Sequence, residues 1–165
     1  MTIDLTKKVS VLFVCMGNIC RSPTADAVFK HVVRQAGLGR EIFVDSAGTH
    51  AYHIGEPPDR RAQNSALKRG YSMCDLRARK VTVSDFTDFH YILAMDYENL
   101  AYLQKWCPDQ FSGKPELFMR YSKGKYGNQE VPDPYFGGDQ GFEQVLDMIE
   151  EASHGLLKHI CSQNV

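Results

Sequence analysis

A thiol and a guanidinium stand six positions apart in the segment CMGNICRSP, which begins at Cys15. A thiolate is a nucleophile, and the planar guanidinium of Arg21 has the shape to hold two oxygens of a phosphate group. The segment between them contains a glycine and leads into a helical pattern, so its backbone N–H groups are able to converge on one anion. The spacing therefore predicts an oxyanion-binding loop with a nucleophile at one end.

Cleavage of a phosphate ester at phosphorus needs charge neutralisation, a nucleophile and a proton for the leaving oxygen. The loop amides and Arg21 supply the first requirement and Cys15 the second, through a phosphocysteine. The alternative is that Cys15 is a small buried residue at the end of a strand, which is common for cysteine. Arg21 and the predicted helix start at Ser22-Pro23 favour catalysis.

A thiolate cannot protonate the leaving group, so a second residue is required. Asp133 is the best candidate because it lies between two prolines in VPDPY (131–135), which restrict the loop. It would be protonated in the first step and ionised in the second, when it activates water. The alternative is an Asp-Pro turn, the more frequent role of that dipeptide. Only the presence of the Cys15 site favours the catalytic interpretation.

Apolar runs and helical patterns alternate along the chain. Strands are predicted at Val9–Val14, Ile42–Ser46, His90–Met95 and Pro115–Met119. The first helix is predicted with Ser22 as its N-cap, Pro23 as its first residue and Gly37 as its stop. Further helices are predicted at Asp59–Arg69, after a start at Ser84 or Asp85, at Tyr97–Trp106, and along the apolar stripe Phe142–Leu156.

This alternation predicts an α/β fold with three layers, an open four-stranded parallel sheet with helices on both faces. In such sheets ligands bind at the carboxyl ends of the strands, where the strand order reverses. If the first strand is central, the phosphate-binding loop after it lies at that point. The length of 165 residues fits a single domain, 1–165.

Composition argues against several functional classes. The net charge of −1 and the pI near 6.6 give no reason to expect a nucleic acid or an anionic membrane as partner. Residues 1–8 lack the apolar core of a secretory signal, and no apolar run approaches the ~20 residues of a membrane span, which favours a cytoplasmic protein. Five cysteines without the paired spacings of a zinc site predict reduced thiols and no metal.

The two functional segments resemble the signatures of low-molecular-weight protein tyrosine phosphatases. The segments are VCMGNICRSP (14–23) and DPY (133–135), and the likeness continues through DSAGT (45–49), IGEPPD (54–59), YILAMD (91–96) and the final helix. The resemblance implies an enzyme without a cofactor that hydrolyses phosphotyrosine in proteins, and aryl phosphates. It further implies release of inorganic phosphate, and a monomer or weakly self-associating protein.

By that resemblance Cys15 is the nucleophile, Arg21 is the phosphate clamp, and Asp133 is the general acid and then the base. Tyr52 and Tyr135 match aromatic walls that sandwich a substrate ring. The phosphate-binding positions are Met16, Gly17, Asn18, Ile19, Cys20 and Ser22.

Two further residues match supporting positions in the family. Ser46, with Asn18 and Ser22, matches residues that hold the loop and its thiolate by hydrogen bonds, and Ser22 is placed to assist the leaving sulfur. Asp96 matches a carboxylate that orients Arg21. Ordinary packing or helix capping is the alternative for each of them.

Three departures from the family pattern bear on the site. Many members have a second tyrosine where this chain has Phe136, so any role of a second hydroxyl is lost. Some members carry a histidine near Cys74-Asp75 that braces the loop asparagine, and this chain has none there. Ile19 matches the tyrosine-specific pattern, whereas members resembling arginine phosphatases have threonine, which makes phosphoarginine a weaker candidate.

Other readings remain open at this point. In the family the pair Cys15 and Cys20 forms a disulfide under oxidants, which predicts reversible inactivation by peroxide. Arsenate reduction on the same fold needs two further cysteines in a mobile segment, and only Cys74 lies between Cys20 and Cys107. A binding module without turnover would bind phosphotyrosine and hydrolyse nothing, but Cys15, Arg21 and Asp133 together argue against it.

Overall fold

The computed structural model describes residues 8–135 and 138–163. Nine helices and strands make up these ranges, joined by loops and two short 3-10 segments at Asp109–Phe111 and Phe118–Tyr121. They are β1 (Val9–Cys15), α1 (Arg21–Gln35), β2 (Ile42–Gly48), α2 (Arg60–Lys68), α3 (Val83–Asp88), β3 (Tyr91–Ala94), α4 (Tyr97–Trp106), β4 (Pro115–Leu117) and α5 (Asp139–Gln163). The predictions for residues 1–7 and for Phe136 lie outside the described residues.

The four strands form one sheet in the order β2-β1-β3-β4, and every pair is parallel. Strand β1 is central because its residues Val11–Val14 are apolar on both faces and are fully buried. The strand order reverses beside β1, so Cys15 lies at the carboxyl edge where such sheets bind ligands. The predicted open parallel sheet is confirmed.

Two apolar cores lie on opposite faces of the sheet. Phe13 packs in the core that includes residues of α1 and α5, whereas Leu12 packs in the core that includes Phe86 and Leu103. Successive residues of a strand point to opposite faces, so β1 contributes to both cores. Helices therefore cover both faces, which confirms the three layers. None of the described helices is both long and apolar enough to cross a membrane.

Several element boundaries differ from the predictions. Strand β2 runs on to Gly48, while β3 and β4 are shorter than predicted. Helix α3 follows Thr82 rather than starting at Ser84 or Asp85, because the Asp85 carboxylate accepts the N–H of Thr82 at 2.7 Å and closes the first turn. The stop at Gly37 is confirmed, since that residue has a φ of 75°.

The predicted start of α1 is also wrong. The helix begins at Arg21, and Cys20 occupies the cap position without a side-chain cap. Ser22 is therefore inside the first turn rather than at the N-cap, and its hydroxyl is available to the loop instead of to the helix backbone. This shift decides what Ser22 does in the site.

Candidate active site

The phosphate loop, residues 16–20, joins the end of β1 to the start of α1. Asn18 has a φ of 56°, a left-handed conformation that asparagine tolerates better than most residues. Gly48 of β2 lies against the loop, and a Cβ there would come within 2.8 Å of the Met16 carbonyl oxygen. Only glycine allows this close approach of two backbone segments, so β2 and the loop constrain one another.

Cys15 lies beneath the loop and is only 3% exposed. Its Sγ is 3.0 Å from the Ser22 hydroxyl oxygen and accepts the backbone N–H of Asn18 at 3.3 Å. The N-terminus of α1 adds the positive end of the helix dipole. Hydrogen-bond donors and a helix N-terminus are the kind of surroundings found around reactive cysteines.

The Asn18 side chain joins three parts of the site. Its Nδ2 donates to the hydroxyl oxygens of Ser22 at 2.8 Å and Ser46 at 3.0 Å. Its Oδ1 accepts the backbone N–H of Arg79 at 3.0 Å. Both the amide nitrogen and the amide oxygen of this side chain thus help to hold one loop conformation.

Arg79 supplies the brace for which sequence reasoning found no residue. Its guanidinium donates to Asp45 and to Asp85, each at 3.0 Å, and its carbonyl accepts the N–H of Gly48 at 2.8 Å. These contacts fix the backbone N–H that Asn18 needs. The donor to Asn18 is a backbone N–H, so this contact could not be predicted from the type of residue at position 79.

Arg21 is buried behind the loop with 3% of its surface exposed. Its Nη1 donates to Asp96 Oδ2 at 2.6 Å and to the Val131 carbonyl at 3.0 Å. Asp96 is also the N-cap of α4, where its other oxygen accepts the N–H of Asn99 at 2.8 Å. Burial would lower the pKa of Arg21, but the thiolate of Cys15 and the carboxylate of Asp96 outweigh it, and the pKa is raised.

Asp133 approaches the other end of the Arg21 guanidinium. Its Oδ2 is 3.8 Å from Nη2 of Arg21, and its Oδ1 accepts the N–H of Tyr135 at 3.0 Å. The loop that carries it is attached to β3 through the Val131 N–H, which donates to the Met95 carbonyl at 2.8 Å. The side chain is 34% exposed. This carboxyl group therefore reaches both solvent and the pocket.

One cavity of about 210 Å³ contains the groups predicted to act on phosphate. Its lining residues are Cys15, Met16, Gly17, Ile19, Cys20, Arg21, Tyr52, His53, Asp133 and Tyr135. Asn18, Ser22, Ser46 and Asp96 do not line it. Their side chains instead form the hydrogen bonds that hold the loop and Arg21. Tyr52 and Tyr135 are 67% and 39% exposed, as expected of rings at a pocket mouth.

His53 lines this pocket and was missed by sequence reasoning. Its ring lies over the phosphate loop, where a Cβ on Gly17 would come within 3.1 Å of it. Nδ1 of His53 is 2.8 Å from Glu56 Oε2. The sequence around His53 contains no motif that would mark it as a site residue. Gly17 is the one sequence feature consistent with its position, because a residue without a side chain leaves room for the ring.

The chain matches known phosphatases along most of its length. The model of the family Low molecular weight phosphotyrosine protein phosphatase matches residues 10–165. A low molecular weight phosphotyrosine protein phosphatase of Schizosaccharomyces pombe is 43% identical over 157 residues, which cover 94% of this chain and 99% of that protein.

The chain belongs to the low molecular weight phosphotyrosine protein phosphatase family.

The resemblance inferred from the two signatures is thereby confirmed, and the protein is a phosphoric monoester hydrolase of the protein tyrosine phosphatase class. The fold agrees with two solved structures. A protein tyrosine phosphatase from Entamoeba histolytica, crystallised with Hepes in the active site, superposes with a TM-score of 0.91 at 40% identity, covering 96% of this chain and 100% of that one. A Drosophila arginine phosphatase gives 0.84 at 35% identity, covering 91% and 96%.

Two cysteines line the pocket of this phosphatase, and their surroundings differ. Burial, followed by the negative charges of Asp59 and Cys15, raises the pKa of Cys20 far above its ordinary value. Cys20 is therefore a neutral thiol at physiological pH. Cys15 has different neighbours, since the Ser22 hydroxyl lies 3.0 Å from its Sγ and the Asn18 N–H donates to that sulfur at 3.3 Å.

Arg61 connects the two sides of the phosphatase pocket by hydrogen bonds. It was not among the site residues predicted from the sequence. Its Nη2 donates to the Tyr135 carbonyl at 2.8 Å and to Asp59 at 3.2 Å. Its guanidinium also lies 5.6 Å from the centre of the Tyr135 ring. Asp59 in turn donates its backbone N–H to the Ile19 carbonyl in the phosphate loop at 2.7 Å. This Asp59–Arg61 unit links the loop to the segment next to Asp133.

Proposed function

We propose that this phosphatase hydrolyses phosphotyrosine in proteins through a phosphocysteine intermediate, with Cys15 as nucleophile, Arg21 as clamp and Asp133 as acid and then base. The observation that carries the proposal is that these three side chains line one cavity together with Tyr52 and Tyr135. A thiolate, a buried cation and a partly exposed carboxyl group are the three groups that the reaction requires.

In the first step the Cys15 thiolate attacks phosphorus, the S–P bond forms and the ester P–O bond breaks. The electron pair of that bond goes to the tyrosine oxygen, which takes the proton of Asp133. Arg21 and the N–H groups of the phosphate loop neutralise the equatorial oxygens. Because Arg21 is already held by Asp96 and Val131, little reorganisation is needed as charge develops.

In the second step water attacks phosphorus and gives its proton to the Asp133 carboxylate, and the S–P bond breaks. Inorganic phosphate leaves, and the electron pair returns to Cys15. The Ser22 hydroxyl, 3.0 Å from Sγ, and the Asn18 N–H, 3.3 Å from it, stabilise the departing thiolate. Both donors are present before the reaction, so the leaving sulfur needs no rearrangement of the loop.

The mouth of the cavity favours an aromatic substrate. Tyr52 and Tyr135 line the cavity and are partly exposed, so their rings are available to pack against a phosphorylated aryl side chain that enters it. Ile19 matches the tyrosine-specific pattern of the family, whereas members resembling arginine phosphatases have threonine at that position. One of the solved structures similar to it is named an arginine phosphatase, so phosphoarginine is the substrate against which the proposal is tested.

The test compares release of inorganic phosphate from a phosphotyrosine peptide and from a phosphoarginine peptide of the same sequence. We expect the phosphotyrosine peptide to be hydrolysed with the higher kcat/KM and the rate to be unchanged by a chelator. Acid quenching during turnover, followed by mass spectrometry, should find a phosphoryl group on Cys15. A preference for phosphoarginine, or a quenched enzyme without phosphocysteine during rapid turnover, would contradict the proposal.

Oxidation is expected to act through the same pocket. Peroxide converts the Cys15 thiolate to a sulfenic acid, and Cys20 then attacks that sulfur with loss of water to form a Cys15–Cys20 disulfide. We expect the Cys20→Ser variant to recover less activity than the wild type when thiol is added after peroxide. Equal recovery would remove the disulfide from the proposal.

We place this activity in the cytoplasm, in a single domain that acts as a monomer or self-associates weakly.

A further inference from the structure

Aromatic side chains continue from the wall of the pocket across the surface. The ring of Tyr52 stacks on His50 with centres 5.2 Å apart and an angle of 6° between the planes. His50 lies 5.7 Å from Tyr102, which lies 6.3 Å from Trp106. These four residues are called the aromatic strip. Its two ends, Tyr52 and Trp106, are 67% and 54% exposed.

Both halves of the strip are attached to the catalytic groups by hydrogen bonds. His50 donates its backbone N–H to the Met16 carbonyl in the phosphate loop at 3.0 Å. Tyr102 and Trp106 lie on α4, whose N-cap Asp96 holds Arg21. The strip therefore keeps a fixed position relative to Cys15, as a surface that binds the rest of a substrate must.

A groove lies beside the far half of the strip. It has a volume of about 250 Å³ and is lined by Lys80, Val81, Thr82, Val83, Phe86, Tyr102 and Trp106. Val83 is 62% exposed although it is apolar. Lys80 lines the groove, and Nζ of Lys105 is 5.6 Å from the centre of the Trp106 ring. Among the lining residues that the structure describes, none is a carboxylate.

We propose that the strip and the groove bind the polypeptide that flanks the phosphotyrosine, with an apolar side chain in the groove and a carboxylate beside Lys80 and Lys105. The inference rests on the proposed function, because it requires a phosphotyrosine in the pocket. An extended chain advances ~3.3 Å per residue, so the three steps between rings correspond to about four to six residues. The apolar side chain is therefore expected at that distance from the phosphotyrosine.

Continuity with the pocket separates this surface from other exposed apolar side chains. Single exposed apolar residues such as Phe43 and Leu67, at 62% and 65%, are ordinary on protein surfaces. Contiguous apolar patches with a charged rim are typical of binding surfaces. A substrate chain that leaves the pocket past Tyr52 meets His50 and Tyr102 next, so the occupant with the most direct access is the substrate itself.

The experiment uses a series of phosphotyrosine peptides in which one leucine is moved outward, residue by residue, through a background of serine and glycine. We expect kcat/KM of the wild type to rise ~10-fold when the leucine is about four to six residues from the phosphotyrosine, on one side only. Trp106→Ala and Val83→Ser should each remove most of that gain. Both variants should hydrolyse a small aryl phosphate within about twofold of the wild type, which also shows that they fold.

Two further variants complete the test. Phe43→Ala removes an exposed ring away from the strip and should leave the leucine preference unchanged. A glutamate next to the leucine should raise kcat/KM by a further ~3-fold at low salt, and a Lys80→Gln, Lys105→Gln double variant should lose that increment.

The proposal is overturned if no leucine position raises kcat/KM, or if Trp106→Ala and Val83→Ser keep the full gain. It is also overturned if sedimentation shows that Trp106→Ala abolishes self-association while peptide selectivity is unchanged, because the strip is then covered by a second copy. Failure of the proposed function is distinct, since the wild type would then release no phosphate from the peptide without leucine.

Discussion

The phosphate loop and the segment that carries Asp133 face the same pocket but are constructed in opposite ways. Cys15, Asn18 and Arg21 are at most 3% exposed, and each is held by the contacts described above. Asp133 is 34% exposed and is held by one backbone N–H, with Arg21 3.8 Å away. One side of the pocket is buried and fixed, and the other is open.

The difference fits the roles proposed for the two sides. A phosphate dianion and a thiolate are stabilised best by donors that are already oriented and shielded from water. An acid that first gives a proton to the substrate and then takes one from water must reach both of them. We therefore expect changes on the buried side to alter stability, activity or both, whereas changes on the open side alter activity alone.

Replacing Cys15 with serine should have the largest effect. Without the thiolate no phosphocysteine forms, and we expect kcat to fall by at least ~1,000-fold for every substrate. Hydrolysis of a chromogenic aryl phosphate measures this, and calorimetry should show that inorganic phosphate still binds, because Arg21 and the loop amides remain. Substantial residual turnover would contradict the covalent mechanism.

Replacing Asp133 with asparagine should lower kcat by ~100-fold or more for phosphotyrosine and much less for an aryl phosphate with a good leaving group. A good leaving group needs no proton, so the ratio between the two substrates isolates the acid role. The free energy of unfolding should stay within about 0.5 kcal/mol of the wild type, because the side chain is exposed. Equal losses for both substrates would argue for a binding role instead.

Asp26 tests the buried side through stability. This α1 residue is fully buried, with Lys30 Nζ at 2.7 Å and Asp45 and Ser46 of β2 nearby. Burial, partly offset by Lys30 and Ser46, raises the pKa of Asp26 from 3.8 to about 6. The folded protein thus binds the proton of Asp26 more tightly than the unfolded chain. The contribution of this proton to the free energy of unfolding is therefore full below pH 4 and is lost as pH rises through 6.

The quantity to compare is the free energy of unfolding of Asp26→Asn minus that of the wild type. We expect this difference to be up to ~3 kcal/mol more positive above pH 7 than below pH 4. Denaturant melts across that range measure it, and kcat should change by less than twofold. Lys30→Gln is the control, since it removes the facing ammonium and should lower stability above pH 6. Parallel pH profiles for the wild type and Asp26→Asn would contradict the assignment.

Arg61 should give the smallest effect, and it tests how firmly the open side is held. Arg61→Gln removes the cation that bonds the Tyr135 carbonyl, and we expect kcat for phosphotyrosine to fall ~3- to 10-fold with little change for a good leaving group. The neighbouring Arg60→Gln removes an exposed guanidinium and serves as the matched control. If Arg61→Gln affects both substrates equally, Arg61 does not act through Asp133.

Part of the site could be predicted from the sequence because its residues belong to recognisable local patterns. The strand before Cys15 is a continuous apolar run, the loop contains a glycine, and Pro23 and Gly37 delimit the first helix. Asp133 was identified from its flanking prolines together with the chemical need for an acid. The helix start was misjudged by the choice of Ser22 as a cap, because a serine suits either the helix backbone or the thiolate, and only the tertiary contact with Cys15 decides between them.

By itself the sequence determined the parallel α/β fold, the thiol and guanidinium of the predicted phosphate loop, and the candidate acid, since each depends on local periodicity or on a chemical group that is written in the chain. The tertiary structure alone decided that the Arg79 backbone braces Asn18, that His53 lies over Gly17, that Arg61 connects the two sides of the pocket, and that an aromatic strip leaves it. These features join residues distant in sequence, and several use main-chain groups that every residue type carries. No local pattern encodes such contacts, because they arise only when the sheet brings its strand ends together.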